Sequence, residues 1–375
     1  MPRRPRLLAV VGTRPEAVKL APVALRLRRP GSGLDLHLVD TGQHPGVVAQ
    51  ALGEFGLAAD ESLDVLVPGQ GLPELLGRSL TAIAGVIRSG HYDVSMAVGD
   101  TSTVLATALA SHYARLPFAH VEAGLRTGRA YEPFPEEAHR VLAAHLAAVH
   151  LAPTARARAN LLREGIDGST IHVVGNPVVD ALLLVAARPT PLPCRPPTPR
   201  FLLATAHRRE NWGAPLAAIC RGLRLALAAD PGLSLVLPTH PNPAVRAVVE
   251  AELGGVDRAL LPGPIAYPGF VALMKACTLV LTDSGGIQEE APALGKPVLV
   301  LRDATERPEG LDAGCSILVG TDADAIAATI RRLLGDPAEY ESRSRAISPY
   351  GDGHAAERIE RILMEFVGRH EPGPR

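Results

Sequence analysis

Short apolar runs alternate with longer amphipathic ones along almost the whole chain. Leu7–Val11, Leu36–Asp40, Val94–Val98, Phe118–Val121 and Ala148–Leu151 each read as a buried strand. Pro15–Arg29, Pro73–Arg88, Ser102–Ala114 and Glu136–Ala147 fall between them with apolar residues at helical spacing. Strands apolar on both faces and joined by helical crossovers predict a parallel sheet covered on both sides. The rhythm breaks at 188–200, RPTPLPCRPPTPR, where six of thirteen residues are proline and neither helix nor central strand can form. It then resumes, with Phe201–Ala204, Leu233–Leu237, Leu279–Leu281 and Pro297–Leu301 as strands and Ala323–Leu334 and His354–Val367 as closing helices. The pattern predicts an α/β protein of two doubly wound, Rossmann-like parallel-sheet domains. The expected boundaries are 1–187, a proline-rich linker at 188–200, 201–352, and a C-terminal stretch 353–375 whose helix packs back toward the first domain.

Composition narrows the function. A chain of 375 residues suits two domains, and 47% apolar against 3% aromatic residues means that aliphatics and alanine fill the cores. The net charge of −1, with no basic block after the first six residues, argues against a nucleic-acid surface. Cys194, Cys220, Cys277 and Cys315 are scattered with no C-x-x-C pair, as in a cytoplasmic protein with reduced thiols. The apolar run after Arg3, Arg4 and Arg6 is too short for a signal peptide, and no segment approaches the roughly 20 apolar residues of a membrane span.

The candidate chemistry gathers where strands end, the place at which such folds bind ligands. The richest stretch is Leu281–Glu309, in which a strand ends at Asp283 and Ser284-Gly285-Gly286 opens a helix. Unpaired amides at a helix start favour an anion, and Gln288, Glu289 and Glu290 follow closely enough to accept hydrogen bonds from a sugar. A diphosphate joined to a ribose needs that combination, and Arg302, Glu306 and Arg307 strengthen it, so the segment predicts a nucleotide site. Other strand ends carry Gly12-Thr13-Arg14-Pro15-Glu16 with Lys19, Thr41-Gly42-Gln43-His44, Gly99-Asp100-Thr101-Ser102, Glu122–Thr127, His207–Asn211 and His240–Pro243. Asp100 alone reads equally as a helix cap, and Glu136 and Glu137 as first-turn residues favoured by the helix dipole. Glu122 has no such cap role. Arg126, Arg129, Arg208 and Arg209 read also as surface ion pairs worth little. His139, His145 and His150 lack metal-ligand spacing, Asp322-Ala323-Asp324 reads as a cap, and Ser284 lacks the frame of a hydrolase nucleophile. The expectation is therefore no metal, no cofactor and no covalent serine.

Together these segments resemble the non-hydrolysing UDP-N-acetylglucosamine 2-epimerases. The matching stretches are GTRPEAVKLAP (12–22), GDTSTVLAT (99–107), HVEAGLRT (120–127), PEEAHR (135–140), HRREN (207–211), DSGGIQEEAPALGKPVLVLRD (283–303), TERPE (305–309) and PYGDG (349–353), in order and across nearly the whole chain. The resemblance implies a GT-B-like fold with an interdomain cleft. It implies interconversion of UDP-GlcNAc and UDP-ManNAc through loss and return of UDP by way of 2-acetamidoglucal. It carries over Asp100, Glu122, Glu136 and His207 as catalytic positions. Ser284, Gly285 and Gly286 match the phosphate loop, Glu290 the ribose contact, Phe270 a base-packing position, and Arg14, Lys19 and Arg307 further ligand contacts. Crowding of the three carboxylates is expected to raise a pKa. Gln43, His44, Gln70, Arg208 and His240 are candidates for a secondary, allosteric UDP-GlcNAc site. Departures from the pattern are Ala206 before the HRREN stretch, Ile265 near the base position, and Pro45, Gly46 and Gly69, which remove side chains that the secondary site would use. The resemblance also implies a homodimer, for which the Ala-rich Ser102–Ala114 offers a packing face. A hydrolysing relative releasing ManNAc, a GT-B glycosyltransferase and a non-catalytic nucleotide-sugar sensor are the alternatives.

Overall fold

The structure, a computed structural model, describes residues 3–345 and 348–369. The chain forms two compact units, one built from residues up to Leu183 and from Tyr350 onward, the other from Leu184–Pro349. The residues 370–375, which end the expected C-terminal stretch, lie outside the described residues.

The first unit holds a seven-stranded sheet. Its strands are β1 (Arg6–Val11), β2 (Asp35–Asp40), β3 (Glu61–Ser62), β4 (Val94–Val98), β5 (Phe118–Val121), β6 (Val149–Ala152) and β7 (Ile171–Val173), in the order β3-β2-β1-β4-β5-β6-β7. All neighbours pair in parallel, as the unbroken apolar runs require. The central runs β1 and β4 are almost wholly buried, with Leu8 and Val10 packed against Ile83, Val86, Ala106 and Ala110 of the covering helices. The second unit holds six strands: β8 (Arg200–Thr205), β9 (Leu233–Val236), β10 (Ala259–Leu260), β11 (Leu279–Thr282), β12 (Val298–Val300) and β13 (Ser316–Leu318), in the order β10-β9-β8-β11-β12-β13. These too are parallel throughout. Because every strand of a sheet points the same way, all strand-end loops of that unit emerge at one end.

The proline-rich stretch packs within the second unit, where the backbone N–H and hydroxyl of Thr198 both donate to Ser234 Oγ, at 3.2 and 2.8 Å. The edge strands β3, β7, β10 and β13 are only two or three residues long and escape a periodicity reading.

One expectation is corrected. The helix Ser102–Tyr113, read as a packing face for a second copy, is buried from Ser102 to Ala108 and packs between the helices Leu72–Ser89 and Glu136–Leu146 of its own unit. Its alanines are explained by that intramolecular fit, where small side chains let helices approach.

The returning helix Ala355–Arg369 belongs to the first unit, packed on the helix Arg14–Leu27, with Arg26 Nε 2.5 Å from Glu360. Its first amides are capped in trans: Asp180 accepts hydrogen bonds from the N–H groups of Ala355 and Ala356 at 3.2 and 2.8 Å, and is itself buried. Replacing Asp180 by alanine strands two buried donors at the positive end of a helix dipole. The Asp180→Ala variant should lose about 2 kcal/mol in urea unfolding of the first unit; an unchanged midpoint would contradict the capping role.

Candidate active site

The strand-end loops of the first unit hold one another through carboxylates. After β1, Gly12 and Thr13 turn the chain into the helix Arg14–Leu27. Thr13 is its N-cap and Glu16 closes a capping box. Glu16 Oε2 accepts the N–H groups of Gly12 and Thr13, both at 2.8 Å, and Oε1 accepts the hydroxyl of Thr101 in the loop after β4. Gly12 is required, since a Cβ there would stand 2.2 Å from Thr103 Oγ1 and 2.4 Å from Thr41 Oγ1. Burial pushes the Glu16 carboxyl up to about 7, against the opposing pull of Thr101 and the backbone donors.

Glu122 follows β5 directly and has a φ of +65°, a left-handed conformation that non-glycine residues rarely adopt. Lys19 Nζ donates to its two oxygens at 2.7 and 2.6 Å, and Asn176 Nδ2 donates to Oε1 at 2.8 Å. Asp100 follows β4. It does not cap the next helix: Thr101 is the N-cap and accepts the N–H of Thr103. Asp100 instead receives Arg140 Nε and Nη2 at 2.9 and 2.6 Å, while Arg140 Nη1 reaches Glu137 at 3.0 Å. His139 Nδ1–H donates to the Asp100 carbonyl at 3.0 Å, so the helix Glu136–Leu146 is stitched to the end of β4. Glu137 accepts the amides of Thr127 and Gly128 at 2.9 and 3.0 Å, fixing the loop after β5. Glu136, first residue of that helix, keeps a buried Oε2 that accepts no hydrogen bond among the described residues. Asp100 and Glu122 end neighbouring strands, and Glu122 Oε2 lies 3.4 Å from where a Cβ on Gly99 would stand. Lys19 meets Glu122, and Arg140 is shared between Asp100 and Glu137, so these carboxylates are paired with cations rather than merely crowded.

Lys19 pairs with Glu122. Arg14 is half-exposed and 3.6 Å from Glu54. Of the secondary-site candidates in this unit, Gln43 is buried and accepts the Thr103 hydroxyl at 3.3 Å, His44 is exposed, and the half-buried Gln70 has a buried Oε1 without a hydrogen-bond partner among the described residues.

In the second unit, Ser284 is the N-cap of the helix Gly285–Ala293 and makes no side-chain cap bond, so Gly285 and Gly286 lie inside the first turn rather than before it. Asp283, fully buried at the end of β11, receives the backbone N–H groups of His207 and Arg208 and the Asn211 amide at Oδ2, each at 2.9 Å. That bonding fixes the loop after β8 beside the helix start. The His207 imidazole stays part-exposed, with Nδ1 3.8 Å from Asp283 Oδ1, and stacks on His240 with ring centroids 6.5 Å apart. Glu289 takes Arg307 Nε at 2.6 Å, and Glu290 takes the Tyr267 hydroxyl at 2.5 Å. Glu306 sits among Arg208, Arg302 and Arg307 at 2.9, 2.5 and 3.2 Å. Burial alone would raise its carboxyl; the three guanidinium groups hold it far below the usual range. Phe270 is half-buried against the core beneath this helix, next to Ile265. A Cβ on Gly285 would stand 3.2 Å from Glu306 Oε1 and 3.3 Å from Arg307 Cζ, which explains a glycine at that position.

Sequence reasoning missed Arg140, Asn176, Asp283 as an organiser, Tyr267 and the buried state of Glu16. Arg140 stands inside the PEEAHR stretch one helical turn after Glu137, the spacing that pairs charges on a helix. Asn176 follows the short β7 in Gly175-Asn176-Pro177, a strand-end signal hidden by the brevity of the strand. Among the described residues no group of three or more His, Cys, Asp or Glu is placed to hold a metal, and no helix is long and apolar enough to cross a membrane. Burial pushes the Cys220 and Cys277 thiols up to about 12.

Glu16 yields a pH prediction. Its carboxyl is held at about 7 in the folded chain against an ordinary 4.5. The folded state therefore keeps the proton longer than the unfolded one. Stability from this group is fullest below the unfolded value, falls as pH rises toward the folded value, and is level beyond it. Glu16→Gln removes that slope, so the variant should gain about 3 kcal/mol on the parent between acid and neutral pH in urea unfolding. Parallel pH profiles would contradict the buried, protonated state.

A family model described as UDP-N-acetylglucosamine 2-epimerase matches residues 27–364. The UDP-N-acetylglucosamine 2-epimerase of Salmonella typhimurium is 44% identical over 372 residues, covering 96% of this chain and 99% of its own. That of Escherichia coli K12 is 45% identical over 369 residues, covering 96% and 98%. Among solved structures, UDP-GlcNAc 2-epimerase from Neisseria meningitidis bound to UDP-GlcNAc matches with a TM-score of 0.89 at 38% identity, covering 96% of this chain and 100% of that one. The Methanocaldococcus jannaschii UDP-GlcNAc 2-epimerase in complex with UDP-GlcNAc and UDP matches at 0.81 and 32%, covering 96% and 99%. The two parallel α/β units are thus of the GT-B-like class, and the chain belongs to the UDP-N-acetylglucosamine 2-epimerase family of isomerases.

Proposed function

We propose that this epimerase interconverts UDP-GlcNAc and UDP-ManNAc without net hydrolysis, by eliminating UDP to 2-acetamidoglucal and adding it back. The observation that carries this reading is the set Asp100, Glu122 and Glu136 at one end of the first sheet. Two are paired with cations, Lys19 and Arg140, and the third has a buried oxygen without a hydrogen-bond partner among the described residues. The C2 proton of the sugar has no adjacent carbonyl to acidify it, so its removal needs a fixed base and a leaving group whose charge is met as it develops. A carboxylate takes that proton, the C–H electron pair becomes the C1–C2 double bond, and the C1–O bond breaks with its electrons left on UDP. In the return step a proton reaches C2 from the opposite face and the β-phosphate oxygen attacks C1. Two faces require two proton-carrying groups, which a set of carboxylates supplies and a single one does not.

The second unit holds UDP in this reading. The helix Gly285–Ala293 offers amides that no side chain caps, whereas Glu16 fills the corresponding end of the helix after β1. Glu290 is assigned to the ribose, Phe270 to the base, and Arg307 with His207 to the diphosphate. Asp283 fixes the His207 backbone next to the cradle. Arg14 and Lys19 stay assigned as ligand contacts, and Gln43, His44, Gln70, Arg208 and His240 stay as candidates for regulation.

The test is a proton NMR time course with UDP-GlcNAc in deuterated water. Deuterium should enter C2 as UDP-ManNAc accumulates, and Glu122→Gln should slow both by about a thousandfold. Free ManNAc with UDP would overturn the non-hydrolysing part, and a C2 that stays protonated would overturn the reading.

A further inference from the structure

Glu122 is tightly held, and besides its two bonds from Lys19 it accepts one from a residue that none of the matched motifs contains. Asn176 lies between β7 and the helix Pro177–Ala186, with no exposed surface. Its side chain bridges two tasks. Nδ2 donates to Glu122 Oε1 at 2.8 Å, and Oδ1 accepts the N–H of Val178 at 3.2 Å, which fixes the rotamer and the amide orientation. Its backbone N–H donates to the carbonyl of Tyr350 at 2.6 Å, the first residue after the chain re-enters this unit. The two segments run close because both are glycine-lined there: a Cβ on Gly175 would stand 3.3 Å from Gly351 Cα and 3.5 Å from the Tyr350 carbonyl oxygen. Gly175 and Gly351 have φ of +90° and +151°.

We propose that Asn176 is a positioning residue for Glu122, whose backbone is left-handed at the strand end, and that it fixes the carboxylate and supports its charge beside the other donor, Lys19. Lys19 alone is a flexible point charge with rotatable donors; it neutralises Glu122 without fixing the plane of the carboxylate. The amide of Asn176, clamped at both ends, supplies the direction. A buried carboxylate that loses such a donor is easier to protonate and freer to turn, and displacement of a reacting group by an ångström costs about a hundredfold in rate.

This inference rests on the reading of Glu122 as part of the sugar chemistry, and the experiment separates the two. Asn176→Asp keeps size and backbone bonds but sets a carboxylate where the donor was; Asn176→Ala removes the group. Both are compared with Glu122→Gln for kcat, KM, kcat against pH and UDP binding by calorimetry. Asn176→Ala should lower kcat by about a hundredfold with UDP affinity unchanged. Asn176→Asp should move the acid limb of kcat upward by about one pH unit or more. If both variants keep the parental kcat and pH profile while Glu122→Gln is inactive, the inference fails and the function stands. If UDP affinity and folding fall in step with kcat in both variants, Asn176 is only structural and the inference fails. If Glu122→Gln itself is active, the reading of Glu122 fails first.

Discussion

The pairing of strand-end carboxylates with cations from the crossover helices is the constraint on which the first unit depends. Glu122 and Asp100 end adjacent strands of one parallel sheet, so their charges are brought together by the topology itself. Left unpaired, the buried Glu122 would face a desolvation penalty of several kcal/mol. Lys19 comes to Glu122 from the helix after β1, and Arg140 to Asp100 from the helix after β5. Those two contacts draw separate crossover helices onto the same end of the sheet. Glu122 also keeps a backbone conformation that a non-glycine residue adopts only when its surroundings hold it there.

The two units use helix starts in opposite ways. In the first, the amides at the start of Arg14–Leu27 are consumed by Glu16, which also ties Thr101 and so the loop that carries Asp100. In the second, the start of Gly285–Ala293 is left open, while the acidic side chains behind it are occupied by arginines and Tyr267. Glu289 and Glu306 hold Arg307, and Glu306 also holds Arg208 and Arg302, so the basic groups beside the open amides are fixed in place before any ligand arrives. One helix start holds a loop, and the other is left without a side-chain cap.

Much of this was legible in the sequence. Long apolar strands such as Val94–Val98 and Phe118–Val121 lie where periodicity sets them, because central parallel strands are apolar on both faces. The candidate site residues were singled out for a related reason: polar residues directly after an apolar parallel strand stand at the end of the sheet where such folds bind ligands. The partners were not. Nothing in the spacing of Lys19 and Glu122, or of Asn176 and Glu122, predicts that they meet, since sheet order and helix placement decide it. The Ala-rich helix Ser102–Tyr113 misled for the converse reason. Small residues announce close packing, but they do not say against what, and here the neighbours are helices of the same unit.

The proposed reaction turns on one bond, the C1–O bond to UDP, being broken and remade on the enzyme. The most direct measurement labels the bridging oxygen between C1 and the β-phosphorus with heavy oxygen and follows the recovered UDP-GlcNAc by phosphorus NMR. The label should spread from the bridge into the non-bridging β-phosphate positions, because the freed phosphate can turn before it returns to C1. A label that stays in the bridge while C2 still exchanges with solvent would contradict elimination and require a route that leaves the C1–O bond intact.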